Sequence, residues 1–231
     1  MINTILFGSR IIDYSIVYSE RKTLSITVTP DIKVIVKAPE DAGVEKIRTK
    51  VRKKAAWIIK QQEYFWSFYP KTPPRKYVGG ETHLYFGRQY LLKVTLSDRN
   101  EVKYKGRYIE VFTDDKSKAR DLVKQWYQKR AKIKFKEIAE PLIKRFKYYN
   151  VEPTGLQVHD MALRWGSCTV NGKIILNPEL MKAPKLCIEY VIIHELCHLI
   201  HHGHTRKFME TQDKEMPDWR KWKNKLERLL A

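Results

Sequence analysis

Cysteine is scarce: the chain holds three, Cys168, Cys187 and Cys197, and an odd set is not a disulfide framework. Cys187 and Cys197 fall on one predicted helix, where ten residues separate them by about 15 Å along the axis, too far to bridge. A reducing compartment is expected. No apolar run approaches the ~20 residues a membrane span needs, and the start "MINTILFGSRIIDYS" has no basic stretch followed by a secretory apolar segment. A cytoplasmic chain with no membrane partner is the expectation. Acidic residues are also short, with 26 Asp and Glu against 45 Lys and Arg, a formal net charge of +19. No internal repeat and no low-complexity tract is evident in the sequence.

What is present is enough to build a core: 231 residues, 43% of them hydrophobic and 31% charged, read as a globular protein. The positive charge is uneven. Residues 1–150 hold 33 Lys and Arg against 16 Asp and Glu, an excess of 17, whereas residues 151–231 hold 12 against 10, an excess of 2. A field of that sign attracts an acidic partner, commonly nucleic acid, although lysine-rich solvated helix faces produce the same count without any ligand.

Periodicity divides the chain in the same way. In "TLSITVTPDIKVIVKAP", Leu24, Ile26 and Val28 alternate, then Ile32, Val34 and Val36, about a Pro30-Asp31 turn, which predicts a hairpin. From Pro39 the positions Val44, Ile47, Val51, Ala55 and Ile58 follow helical spacing, with Glu40 and Asp41 in the first turn and a basic stripe of Arg48, Arg52, Lys53, Lys54 and Lys60 opposite. "HLYFGRQYLLKVTL" and "EVKYKGRYIEVFT" predict short strands turning at Gly87 and Gly106. A long helical pattern covers about 115–149, with Pro141 expected to kink it. Linkers are expected at 69–80 and near 150–155, giving a strand and helix region over 1–75, short strands and a long basic helix over 76–150, and a compact unit over 151–231. In that last unit "GLQVHDMALRWGSC" and "KIILN" are strand candidates joined through Asn171-Gly172. Pro184 opens a helix expected to run to about His202 and to stop at Gly203, Thr205 caps the next, and Trp219, Trp222, Leu226 and Leu229 form the stripe of the last.

The chemistry concentrates in "VIIHELCHLIHHGH", residues 191–204. His194 and His198, four residues apart on a helix, project from one face, so that both can reach one metal ion at about 2.0 to 2.1 Å. Glu195 flanks the pair, where its carboxylate can meet a water without being a ligand. Val191, Ile192, Ile193, Leu196, Leu199 and Ile200 make the helix apolar on nearly every side, and burying His, Glu and His there costs several kcal/mol unless each finds a partner. A metal ion is such a partner.

Catalytic zinc takes three protein ligands and keeps one position open. His202 lies about 12 Å from His194 along a straight helix, too far to share the ion. His204 follows Gly203, where the chain can turn back, and is the expected third ligand; Glu210 or Glu215 from the next helix is the alternative. The spacing His194, His198, His204 matches the ligand positions of HExxHxxGxxH, with His201 where that pattern has glycine. A closed structural site with Cys197 as fourth ligand is the non-catalytic alternative.

"RWGSCTVNGKIILNPELMKAP", "IEYVIIHELCHLIHHGHTRKFME" and "MPDWR" resemble the YgjP-like zinc metallopeptidases, a cytoplasmic group related to the SprT-like peptidases. The earlier "RKTLSITVTPDIKVIVKAP", "VRKKAAWIIKQ" and "FGRQYLLKV" resemble the amino-terminal region of the same family, so nearly the whole chain is covered. The resemblance implies an α+β protein whose carboxy-terminal third is a zincin-like, minigluzincin-like core with a small sheet and the HExxH helix. It implies one Zn²⁺ per chain on His194, His198 and His204, with Glu195 as general base. The expected activity is hydrolysis of peptide or unfolded-protein substrates by an activated water. Tyr190 and Arg164 are candidates for steadying the oxyanion, and Trp165 sits in "RWGSC", either on a substrate-binding edge strand or in an interior one. Two other readings follow from the residues: a nucleic-acid-associated protease docked through residues 1–150, and a binding module with non-catalytic zinc.

Overall fold

In residues 2–18, where no strand is expected from the sequence, Ile5, Ile12 and Tyr14 are buried while Thr4, Leu6, Ile11 and Asp13 are exposed. That alternation belongs to two strands, β1 (Ile2–Phe7) and β2 (Arg10–Tyr18), paired antiparallel with Ile5 opposite Ile12. The computed structural model describes residues 2–29, 31–67, 69, 74–162 and 164–230. The chain forms two compact units, residues 1–72 and 73–230.

The first unit completes a four-stranded sheet with β3 (Ser25–Val28) and β4 (Val34–Ala38), in the order β1-β2-β4-β3. The expected hairpin is there, with Val28 opposite Val34. Pro30 lies outside the described residues, and Ile32, read as a strand position, has φ +65° and belongs to the loop. The helix expected from Pro39 starts later, as α1 (Val44–Lys53) behind Gly43, so Glu40 and Asp41 precede it. It breaks at Lys54, whose φ of −101° and ψ of 5° leave helical geometry, and resumes as α2 (Ala55–Trp66). Ile47, Val51, Ala55 and Ile58 still make one buried stripe, packed in a common core with Ile12, Val34 and Val36, and the opposite basic stripe is exposed.

The second unit opens with β5 (Thr82–Tyr85), β6 (Arg88–Leu96), β7 (Glu101–Lys105) and β8 (Tyr108–Thr113), ordered β5-β6-β8-β7. Both four-stranded sheets are two antiparallel hairpins joined through a parallel pair, β2 with β4 and β6 with β8. The chain therefore repeats a topology, which the sequence reading missed. α3 (Ala119–Phe146) is one helix, begun later than expected and continuous past Pro141, which lies on its exposed side. A third sheet contains β9 (Gly155–Val158), β10 (Gly166–Cys168) and β11 (Lys173–Leu176), in the order β10-β11-β9. The stretch read as one strand, "GLQVHDMALRWGSC", is broken because buried Asn177 draws its middle aside. The Asn177 amide donates to the carbonyls of Met161 at 2.8 Å and Arg164 at 3.0 Å, and its own backbone N–H donates to Trp165.

Three helices follow: α4 (Lys185–Ile200), α5 (Arg206–Glu215) and α6 (Trp219–Leu230). Leu92 and Val111 of the second sheet, Phe135 of α3, Leu176 of β11 and Ile192 of α4 share one core. Residues 76–150 and 151–230 are thus packed together, each buried aliphatic side chain contributing about 1.5–3 kcal/mol. No helix among the described residues is long and apolar enough to cross a membrane.

Candidate metal centre

α4 is buried on most sides, through Ile188, Val191, Ile192, Ile193 and Leu196, so its position is fixed by packing all round. Its start is held as well. The turn between β5 and β6 donates Phe86 N–H to Met181 and Gly87 N–H to Lys182, at 2.8 and 3.0 Å. Gly87 has φ +75°, and a Cβ there would meet Pro184 Cγ at 2.6 Å, so only glycine fits. Pro184 is the N-cap of α4.

His194 and His198 share one face of this helix, with ring centroids 5.0 Å apart. The helix ends at Ile200, two residues earlier than expected; His201 takes φ −133° and ψ 113°. The chain turns back from there, and His204 comes within 3.0 Å of His194, Nε2 to Nε2, and within 4.8 Å of the His198 ring centre to centre. One ring nitrogen from each of the three lies within 4.8 Å of the others, the one such group of three His, Cys, Asp or Glu among the described residues. Thr205 caps α5 by accepting from the Phe208 N–H. Phe208 then packs its ring 5.1, 4.7 and 4.9 Å from His194, His198 and His204.

The outer nitrogens are occupied. His198 Nδ1 is 3.2 Å from the carbonyl of His201, which can only accept, so this nitrogen carries the proton. His194 Nδ1 donates to Gln212 Oε1 at 3.1 Å. Both rings therefore leave Nε2 unprotonated, and that of His194 faces His204 Nε2 at 3.0 Å. Burial pushes His194 down to about 4 and also lowers His198, so both are neutral at neutral pH and have a lone pair to give.

Glu195 is 5% exposed and lies beneath β10. Burial raises its carboxyl to about 7, against the pull of the Arg164 charge and of a backbone hydrogen bond from Cys168. Gly166 leaves the room for it, since a Cβ there would lie 2.7 Å from Glu195 Oε1. A cleft of about 730 Å³ opens on these groups. Tyr190, Arg164 and Trp165 line it together with His194, Glu195, His198 and His204. Tyr190 is buried and stacks on Trp219 at 6.0 Å and 7°.

The alternatives raised by the sequence stand elsewhere. Glu210 pairs with Arg206 at 2.8 Å, and Glu215 with Arg145 at 2.6 Å. Cys197 is fully buried, outside the histidine group, with its thiol pushed up to about 12 by burial and then by Glu215. His201 reaches Thr211 at 3.1 Å, and His202 is an exposed residue of the cleft wall. Sequence reasoning missed Gln212, Phe208 and Gly166. One signal for Gln212 was available: it follows Phe208 by four on α5, so both share that helix's buried face.

The YgjP-like, metallopeptidase domain, family model matches residues 22–229. The crystal structure of the metallopeptidase zymogen of Pyrococcus abyssi abylysin is similar at 19% identity over 38% of this chain and 90% of that one. The TM-score between the two is 0.35. No curated protein matches.

Proposed function

The chain belongs to the YgjP-like metallopeptidase family, and from that premise we propose that it is a zinc-dependent peptidase, one Zn²⁺ per chain, with Glu195 as general base. The observation that carries this is the convergence of three imidazoles at one point beside a buried carboxyl, at the floor of an open cleft. The donor set fits the ion. Three imidazoles suit zinc, and the outer N–H groups on His194 and His198 are already anchored by Gln212 and His201.

His194, His198 and His204 hold the metal in this reading. Zinc held there would supply a lowered water pKa of about 7 and polarisation of a carbonyl. Glu195 removes a proton from the attacking water and delivers it to the leaving amine. Its burial serves that role, because an apolar surrounding holds the carboxyl above the usual carboxylate range. Among the described residues Arg164 is the one arginine or lysine on the cleft wall and is assigned to the oxyanion; buried Tyr190, stacked on Trp219, orients the wall. β10, an edge strand, receives an extended peptide or unfolded segment by backbone pairing, and Trp165 borders it.

The test is Glu195→Gln. Zinc stays at one per chain and hydrolysis of an unfolded-protein mixture falls by about 10²-fold or more. His204→Ala, in contrast, sheds zinc. A Glu195→Gln chain with unchanged hydrolysis overturns the base assignment, and full zinc retention in His204→Ala moves the third ligand elsewhere.

A further inference from the structure

The two edges of the third sheet face different cavities. β10 borders the metal cleft, and β9, at the other end of the order β10-β11-β9, borders a groove of about 1030 Å³ between itself and α3. Four consecutive residues of this segment, Leu156 to His159, line the groove. Successive strand residues point to opposite faces, so a lining without gaps means that the strand presents its edge. An edge strand leaves backbone N–H and C=O groups unpaired on its outer side.

The aliphatic part of the lining comes from Ala139 and Ile143 of α3 and from Leu156, Val158 and Ile175 of the sheet. The rim is basic. Lys132, Lys136, Lys144 and Lys147 stand over it against Glu140 and Glu152, and both acids are already engaged, Glu140 with Lys144 at 3.1 Å and Glu152 with Lys147 at 3.2 Å. Lys132 and Lys136, both exposed and one helical turn apart, have no carboxylate within 4.0 Å among the described residues. Among the described residues His159 contributes the one ring on the groove and no Phe, Tyr or Trp lines it, so it lacks the run of stacking rings that single-stranded nucleic acid uses. A strand added to β9 would send alternate side chains to the aliphatic lining and to the lysine rim.

We propose that this groove binds an extended polypeptide segment of alternating aliphatic and acidic residues, added as a strand on β9 and held by Lys132 and Lys136. The groove is separate from the metal centre, and the claim concerns binding alone. It therefore stands or falls whether or not hydrolysis is observed.

The experiment uses the full chain carrying Glu195→Gln and a fluorescein-labelled peptide of alternating glutamate and valine, followed by anisotropy. The peptide is expected to bind, and Lys132→Glu with Lys136→Glu to weaken it at least about tenfold, with Lys132→Ala and Lys136→Ala as the milder pair should the reversal disturb folding. Lys105→Glu with Lys116→Glu changes the net charge equally away from the groove and is expected to leave affinity within about twofold. The same peptide N-methylated at alternate amides is expected to bind at least about tenfold more weakly, since strand addition is lost. Three results overturn the proposal: no binding to the parent chain, in which case the lysines merely guard an edge; equal binding by the charge-reversed groove; or tighter capture of an oligo-dT strand through the same lysines.

Discussion

Gly166 on β10 and Glu195 on α4 are in such close apposition that a methyl group on the glycine would stand 2.7 Å from Oε1 and 2.9 Å from Cγ of the glutamate. Val191 Cγ1 would be only 2.8 Å away on the other side. The edge of the cleft and the proposed base are thus packed against each other with no side chain between them.

Gly166→Ala is therefore expected to displace the carboxyl rather than the metal. Its φ is not positive, so the substitution costs nothing in backbone conformation and acts through contact alone. Overpacking of this kind costs about 1–3 kcal/mol in stability, and a shift of the base of the order of 1 Å costs about 10²-fold in rate. Zinc content, thermal unfolding and kcat/KM measured together give the answer. Unchanged kcat/KM with zinc in place would mean that Glu195 is not the group that moves the proton.

A second prediction concerns Gln212. Its Oε1 accepts the Nδ1–H of His194 at 3.1 Å and it is 1% exposed, so it fixes which nitrogen of that ring is left bare. Partners of this kind typically contribute about 10–100-fold in metal affinity. Gln212→Leu should lose affinity in that range in a competition against a chromophoric chelator, and Gln212→Glu, which keeps an acceptor, should recover it. Equal affinity in all three chains would leave Gln212 a packing residue.

How far the sequence reaches is decided by what is local. The His194 and His198 pairing follows from four-residue spacing on a helix, whereas His204 comes from a chain that can reverse past Gly203 and from the spacing of HExxHxxGxxH. The helix in fact stops at Ile200, before that glycine, because His201 goes extended and its carbonyl is held by His198. Gln212 and Gly166 could not be assigned roles in advance, since each acts on a residue 18 or more positions away. The repeat of the four-stranded sheets was hidden for a related reason: topology is kept by hydrogen-bond register, which many side chains satisfy. Asn177 broke an apparently continuous strand by hydrogen bonds to Met161 and Arg164, and no pattern in the strand itself announces that.

The last prediction is a pH dependence set away from the metal centre. His83 on β5 is 3% exposed, with Nε2 2.9 Å from Glu81 Oε2 and its ring 5.2 Å from that of Tyr77. Burial lowers its pKa below the ordinary 6.5, Arg75 and Lys182 push the same way, and Glu81 pulls against them. The Glu81 carboxyl is itself below its ordinary 4.5: burial would raise it, but the N–H groups of Lys76 and Tyr77 and the contact with His83 outweigh that. For both groups the unfolded chain binds protons more readily than the folded one. Stability is then full above the unfolded pKa and falls as pH drops, first below about 6.5 through His83 and next below about 4.5 through Glu81, each with a slope of up to about 1.4 kcal/mol per pH unit. His194 and His198 are also lowered and act in the first window, so the absolute curve does not isolate His83. The difference between the parent and His83→Gln does. Between pH 7 and 5 the parent should lose unfolding free energy faster than the variant, measured by urea titration at each pH. Parallel curves through that window would show that His83 titrates as freely in the folded chain as in the unfolded one.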